Sequence, residues 1–91
     1  MRVLYDGEAD ALYIPLQTRG TKVDHSIVID DTRIVDLDFE KEPVGIEVLG
    51  ASRRVFLEDL IERFGLENIQ DDLLSVERHR WQPMQYAPPF I

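Results

Sequence analysis

The spacing of the apolar residues changes once along this chain, close to Ser52. Before this point aliphatic residues occupy every second position, as they do at residues 12, 14 and 16 and at residues 44, 46 and 48, which is typical of strands with one buried face. After it, apolar residues recur three or four positions apart, which is typical of a helix with one apolar side. The sequence therefore predicts an α+β fold, in which a small antiparallel sheet is followed by helical segments.

A chain of 91 residues has the length of a single domain. We expect residues 1–52 to form the sheet part, residues 53–80 the helical part and residues 81–91 an irregular tail. The tail contains too much proline and too little periodicity for a helix. The chain contains no cysteine, which excludes disulfides and thiolate metal sites.

About five strands are expected, as two hairpins with a middle strand between them. The first hairpin covers residues 2–16, with Tyr5 opposite Leu12, and the middle strand lies within residues 23–29. The second hairpin follows the middle strand. Its expected register pairs Asp38 with Pro43, Leu37 with Val44, and Val35 with Ile46.

The helical part is expected to contain one clear helix and a second, weaker one. Ser52 is a suitable N-cap for the first helix, and Gly65 is a suitable residue to end it. The second pattern runs from Leu66 to Val76, with Asn68 as a possible cap. We expect the first helix to cover the apolar face of the sheet.

The chain carries a net charge of −8, from 18 acidic and 10 basic side chains. An acidic field repels phosphate backbones, so we expect no nucleic-acid partner, whereas it would attract a basic protein. No apolar run approaches the roughly 20 residues that cross a bilayer, and the first residues do not resemble a signal peptide. We therefore expect a cytoplasmic protein without a membrane partner or a cofactor.

Two groups of acidic residues are candidate sites. Asp6, Glu8 and Asp10 lie within one turn and could supply oxygen ligands to a hard cation, although turn-capping explains the same residues and the spacing of a calcium loop is absent. Asp36 and Glu47 are diagonal neighbours on the outer face of the predicted sheet, beside the small Gly45. Such a pair could serve in acid–base catalysis, although polar residues are ordinary on a solvated face.

The tail carries the clearest indication of an interaction. Trp81, Tyr86 and Phe90 are aromatic residues of the kind enriched at interfaces, and Arg78 and Arg80 could form the rim of such an interface. The tail could equally dock on its own core. Apolar residues left on the uncovered side of the sheet further suggest a homo-oligomer, and we expect a dimer.

Three segments of the chain resemble one known family. They are the run from Tyr5 to Leu16, the segment Val35-Asp36-Leu37-Asp38, and the run from Val44 to Ser52. Together they are similar to the domain-of-unknown-function 2283 family over about residues 2–52. The resemblance implies a mainly antiparallel β domain closed by a helix, without an established activity. Similar proteins are often regarded as the antitoxin-like half of a two-gene module, and the second hairpin of the family usually turns at a glycine, which is missing here.

Three functions remain open at this point. The first is a non-enzymatic interaction module, for which the resemblance suggests an antitoxin-like role, that binds a basic partner such as a toxin-like nuclease and also self-associates. The second is a small metal-assisted, hydrolase-like enzyme that uses Asp36 and Glu47. The third is a purely structural homo-oligomer.

Overall fold

The computed structural model describes residues 1–17 and 22–83. It contains a five-stranded sheet in the order β1-β2-β5-β4-β3, in which all neighbouring strands are antiparallel. The strands are β1 (Leu4–Asp6), β2 (Ala11–Pro15), β3 (His25–Val28), β4 (Arg33–Leu37) and β5 (Pro43–Leu49). The helices are α1 (Glu58–Phe64), a short 3-10 helix (Glu67–Ile69) and α2 (Gln70–Arg78). This confirms the predicted α+β fold, with two hairpins, a middle strand and two C-terminal helices.

Two of the four predicted pairings are confirmed. Tyr5 pairs with Leu12 in the first hairpin, and Val35 pairs with Ile46 in the second. The other two are wrong, because an irregularity next to Asp36 brings Leu37 opposite Pro43 instead of Val44, so that Pro43 does not pair with Asp38.

The turn of the second hairpin explains this shift. The carboxylate of Asp38 accepts hydrogen bonds from the backbone N–H groups of Glu40 and Glu42, at 2.8 and 2.9 Å. Lys41 adopts a φ of 67°, in the left-handed region that favours glycine. The turn therefore closes around Asp38 without the usual glycine, and it takes Asp38 out of the strand pairing.

The first helix begins later than Ser52, so the predicted N-cap is wrong. The Ser52 hydroxyl is used elsewhere, because it donates to Asp10. The chain then runs without regular structure to Leu57, whose backbone N–H donates to the carboxylate of Glu77 at 2.7 Å. At its other end α1 stops where predicted, at Gly65 with φ 65° and ψ 43°.

Asn68 does not cap the second helix either, since it lies inside the 3-10 helix and α2 begins at Gln70 without a side-chain cap. The stability of this segment comes from packing: Leu73 and Val76 are buried on the side of α2 that meets the core.

The core lies between one face of the sheet and the two helices. Alternate residues of the three inner strands point into it, as expected from their spacing, and the helices contribute their apolar sides. Its fully buried side chains are Leu12, Ile14, Val35, Ile46, Val48, Leu57, Leu60 and Leu73. Across the described residues, no helix combines the length and the apolar character that crossing a membrane requires.

Candidate functional site

The helices cover one face of the sheet, and we call the opposite surface the open face. Because side chains alternate along a strand, the open face carries the neighbours of the core residues. Several of these are apolar and exposed: Leu4 is 52% exposed, Val28 70% and Leu49 38%. An uncovered apolar surface on a small domain is typical of an interaction site.

One row of side chains crosses the open face from edge to edge, with one residue from each strand. The register places these residues side by side in the order Leu4, Tyr13, Glu47, Ile34 and Val28. The row is apolar or aromatic except for Glu47, which lies at its centre on the central strand β5.

The charge of the open face has a single sign within the strands. The charged side chains that β1 to β5 direct to this side are Asp6, Asp36 and Glu47, which are all acidic. Asp36 and Glu47 are the diagonal pair predicted from the sequence, since Asp36 lies opposite Gly45 and Glu47 lies opposite Ile34. The open face thus combines apolar surface with negative charge.

Asp36 belongs to a hydrogen-bonded cluster. The Ser26 hydroxyl donates to Asp36 Oδ1 at 2.6 Å, and the Tyr13 hydroxyl donates to Asp36 Oδ2 at 3.3 Å. The Tyr13 ring lies over Gly45, where any side chain would collide with the phenol. Burial raises the pKa of Tyr13, and the nearby charge of Asp36 raises it further. The space beside Asp36 is therefore filled by a protonated tyrosine and does not form a cleft.

The first turn uses its acidic residues to satisfy backbone and hydroxyl donors. Asp6 Oδ1 accepts from the backbone N–H groups of Glu8 and Ala9, at 3.0 and 3.3 Å. The Glu8 side chain is exposed. Within residues 1–17 and 22–83, no three acidic, histidine or cysteine side chains are arranged to hold a metal ion. The structure therefore does not bring Asp6, Glu8 and Asp10 together around a cation.

Asp10 ties the first hairpin to the segment that follows β5. It accepts from the Tyr5 hydroxyl at 2.6 Å, and from the backbone N–H and the hydroxyl of Ser52 at 3.0 and 2.6 Å. Burial alone would raise the pKa of Asp10, but these hydrogen bonds outweigh it and the pKa is lowered. Burial and the bond to Asp10 raise the pKa of Tyr5 to about 12. These three residues belong to the quoted family motif, and they hold the fold together.

Arg33, which was not among the residues predicted from the sequence, connects the sheet to α1. Arg33 donates from Nε and Nη2 to Asp30 at 3.0 and 2.8 Å, and from Nη1 and Nη2 to Asp59 at 2.6 and 2.9 Å. A further bond, of 2.9 Å, goes from Nη1 to the carbonyl of Phe56. The hydrogen bond from Arg33 lowers the pKa of Asp30 to about 2, and it also lowers that of Asp59. Only Asp30, three residues before Arg33, could have suggested this cluster.

A cleft opens beside Arg33, and we call it the arginine cleft. Its volume is about 340 Å³. It is lined by Asp30, Thr32, Arg33, Leu49, Gly50, Arg53, Arg54 and Phe56. The guanidinium of Arg54 lies over the Phe56 ring, 5.0 Å from its centre, and that of Arg53 lies over Gly50. The sequence offered no signal for this cleft, because its walls come from separate segments.

The predicted interface residues lie at the end of α2 and in the tail. Trp81 packs on its own domain, with its ring centre 5.1 Å from that of Tyr5, and its Nε1 donates to the Val76 carbonyl at 3.1 Å. Arg78 and Arg80 are exposed. Tyr86 and Phe90 lie outside the described residues.

Comparison with known proteins gives one match. The family described as "Protein of unknown function (DUF2283)" matches residues 2–52, which include all five strands and the Asp10–Ser52 connection. No curated protein and no solved structure shows a significant match to the chain. Because the matched segment covers more than half of the 91 residues, the chain belongs to the DUF2283 family.

Proposed function

We propose that this protein is a non-enzymatic interaction module that binds a basic protein through its open face. The observation that carries the proposal is the combination of exposed apolar side chains with charge of one sign. Leu4 and Val28 are 52% and 70% exposed at the two ends of a row whose centre is Glu47. Interfaces bury apolar surface and match charges across the contact.

The position of Glu47 indicates the chemistry of the partner. A protein that covers the row would remove Glu47 from water, and an unpaired buried carboxylate costs several kcal/mol. The partner must therefore supply a cation at this point, with apolar side chains on both sides of it. An arginine suits best, because its guanidinium can bind a carboxylate with two parallel hydrogen bonds.

A second copy of the same chain fits this face poorly. In a two-fold pairing each residue near the axis meets its own counterpart, so Glu47 and Asp36 would face like charges. The dimer expected from the sequence stays a prediction, and it would need another surface. A basic toxin-like nuclease would have the required charge, and such a partner agrees with the antitoxin-like role that the resemblance implies.

The enzymatic alternative receives no support from the geometry. Asp36 is held by Ser26 and Tyr13, and the ring of Tyr13 occupies the space over Gly45 where a substrate would have to lie. Glu47 has no histidine or arginine beside it in its row. We therefore favour binding over catalysis at this surface.

The test is a comparison of tagged full-length variants in a pull-down from the native cells. Glu47→Lys reverses the central charge of the open face, and Glu62→Lys makes the same change on the exposed side of α1. We expect the wild type and Glu62→Lys to retain a basic protein that Glu47→Lys loses. With the purified partner, calorimetry should show a loss of affinity of about 30-fold or more for Glu47→Lys, since breaking a buried charge pair costs about 2 kcal/mol at least.

Two outcomes would contradict the proposal. One is retention of the same proteins by Glu47→Lys and wild type. The other is loss of the partner only in a Tyr86→Ser and Phe90→Ser double variant, which would assign binding to the tail. Circular dichroism of each variant distinguishes lost binding from lost folding.

A further inference from the structure

We propose that the arginine cleft binds a small organic oxyanion, a phosphate- or carboxylate-bearing molecule with a compact apolar part. This site shares Leu49 with the open face, but its charged residues lie elsewhere, and it does not depend on the function proposed for that face. Arg53 and Arg54 would hold the oxyanion, and Leu49 and Phe56 would contact the apolar part. The cleft volume of about 340 Å³ falls within the roughly 300–1,000 Å³ that is usual for small-molecule sites.

The charges that line the cleft are divided into a neutralised floor and a cationic wall. In the floor, Arg33 has its guanidinium donors directed to Asp30, Asp59 and the Phe56 carbonyl, and its side chain is only 11% exposed. Both carboxylates are thereby paired with a cation, so they repel an incoming anion less than free carboxylates would. Arg33 acts as part of the scaffold.

The cationic wall consists of Arg53 and Arg54. Within the described residues neither side chain forms a direct ion pair, although the charge of Arg53 contributes to the lowered pKa of Asp10. The Arg53 guanidinium lies over Gly50, where the absence of a side chain leaves room for it. Both residues line this cleft, and guanidinium groups provide the forked donors that bind phosphate and carboxylate oxygens.

The apolar part of the proposed ligand follows from the remaining walls. Leu49 is 38% exposed, and the Phe56 ring contacts the guanidinium groups of Arg54 and Arg33, at 5.0 and 5.8 Å from its centre. When the oxyanion of the ligand draws the Arg54 guanidinium away from the Phe56 ring, that part of the ring is uncovered. The apolar part of the ligand can then pack against it. An anion without such a group gains only the charge contacts, so it should bind more weakly.

The experiment titrates the full chain with three probes at constant ionic strength, followed by calorimetry or NMR. Phenyl phosphate carries both features, inorganic phosphate carries only the oxyanion, and benzoate replaces phosphate by carboxylate. We expect phenyl phosphate to bind at least tenfold more tightly than inorganic phosphate, and the comparison with benzoate identifies which oxyanion is preferred.

Matched variants place the site. Arg54→Ser removes a cleft guanidinium that lies over Phe56, whereas Arg63→Ser removes an exposed guanidinium 5.2 Å from the Phe64 ring on α1. We expect Arg54→Ser to weaken phenyl phosphate binding at least tenfold, and Arg63→Ser and Glu47→Lys to leave it unchanged. Equal affinity of wild type and Arg54→Ser, or binding of an oligonucleotide but of neither aromatic probe, would overturn the proposal. Urea unfolding of Arg54→Ser verifies that the variant is folded.

Discussion

The contact between Tyr13 and Gly45 gives the sharpest test of how the sheet is held together. The Tyr13 ring lies over Gly45, which pairs with Pro15 in the neighbouring strand. The ring is so close that a methyl group at position 45 would overlap the phenol. Gly45→Ala therefore has to displace the ring and break its hydrogen bond to Asp36. The change needs no unusual backbone conformation, because the φ of Gly45 is not positive.

The expected cost combines three contributions. Overpacking costs about 1–3 kcal/mol, and the lost hydrogen bond costs about 0.5 kcal/mol because it is long. Replacing a strand glycine by alanine returns about 0.5–1 kcal/mol of conformational entropy. The net destabilisation should be about 2 kcal/mol. With a slope of about 1.5 kcal/mol per molar urea, the unfolding midpoint should fall by about 1.3 M.

The assay is a double-mutant cycle measured by urea unfolding. In a Tyr13→Ala background the overlap is absent, so Gly45→Ala should then raise the free energy of unfolding by about 0.5–1 kcal/mol. The change of sign between the two backgrounds is the essential result. If Gly45→Ala had the same effect in both, the proposed contact between the phenol and position 45 would be refuted.

Three further predictions follow from ionisation and backbone geometry. The pKa of Asp30 is lowered from 3.8 to about 2, so its stabilisation is present above about pH 4 and is lost as the pH falls towards 2. Asp30→Asn with Asp59→Asn should therefore flatten the dependence of the urea midpoint on pH in this range. The pKa of Tyr5 is raised from 10.0 to about 12, so the free energy of unfolding should decrease as the pH rises from 10 to 12. In Tyr5→Phe this decrease should be smaller, which urea unfolding at several pH values in this range would measure. Lys41→Gly should raise the melting temperature by a few degrees, because the φ of 67° costs lysine about 1 kcal/mol or more; an unchanged or lower melting temperature would contradict this reasoning.

Much of the sheet could be predicted because side-chain alternation specifies which residues share a face. The pairing of Tyr5 with Leu12 and of Asp36 with Gly45 follows directly from this period. The irregularity at Leu37 could not be predicted in the same way. It results from hydrogen bonds between the Asp38 carboxylate and the turn, and these bonds leave the apolar pattern on both sides unchanged.

The start of α1 and the Arg33 cluster show a second limit. The Ser52 side chain could cap a helix, but its hydroxyl donates a hydrogen bond to Asp10, which lies 42 residues away in the sequence. In the same way Arg33 is bound by Asp59, which is 26 residues away. A polar side chain chooses among several possible partners, and the choice depends on the tertiary structure. Periodicity therefore predicted the core well and the polar connections poorly.

Glu47 differs from three other polar residues of the family segment, because Asp10, Ser52 and Asp36 have roles in the fold. Asp10 and Ser52 connect the hairpin to the segment after β5, and Asp36 holds Tyr13 and Ser26. The Glu47 side chain, by contrast, makes no hydrogen bond or ion pair within the described residues, and it separates two apolar parts of one row.

For stability alone, a β-branched residue would suit the position of Glu47 better. Glu47→Val should therefore raise the free energy of unfolding by about 0.5 kcal/mol, the scale of a favourable cross-strand pair, while it abolishes binding of the basic partner. Both quantities can be measured on the same purified variant, by urea unfolding and by calorimetry. A loss of stability would mean that Glu47 serves the fold, and the open face would then lose its central argument as a binding surface.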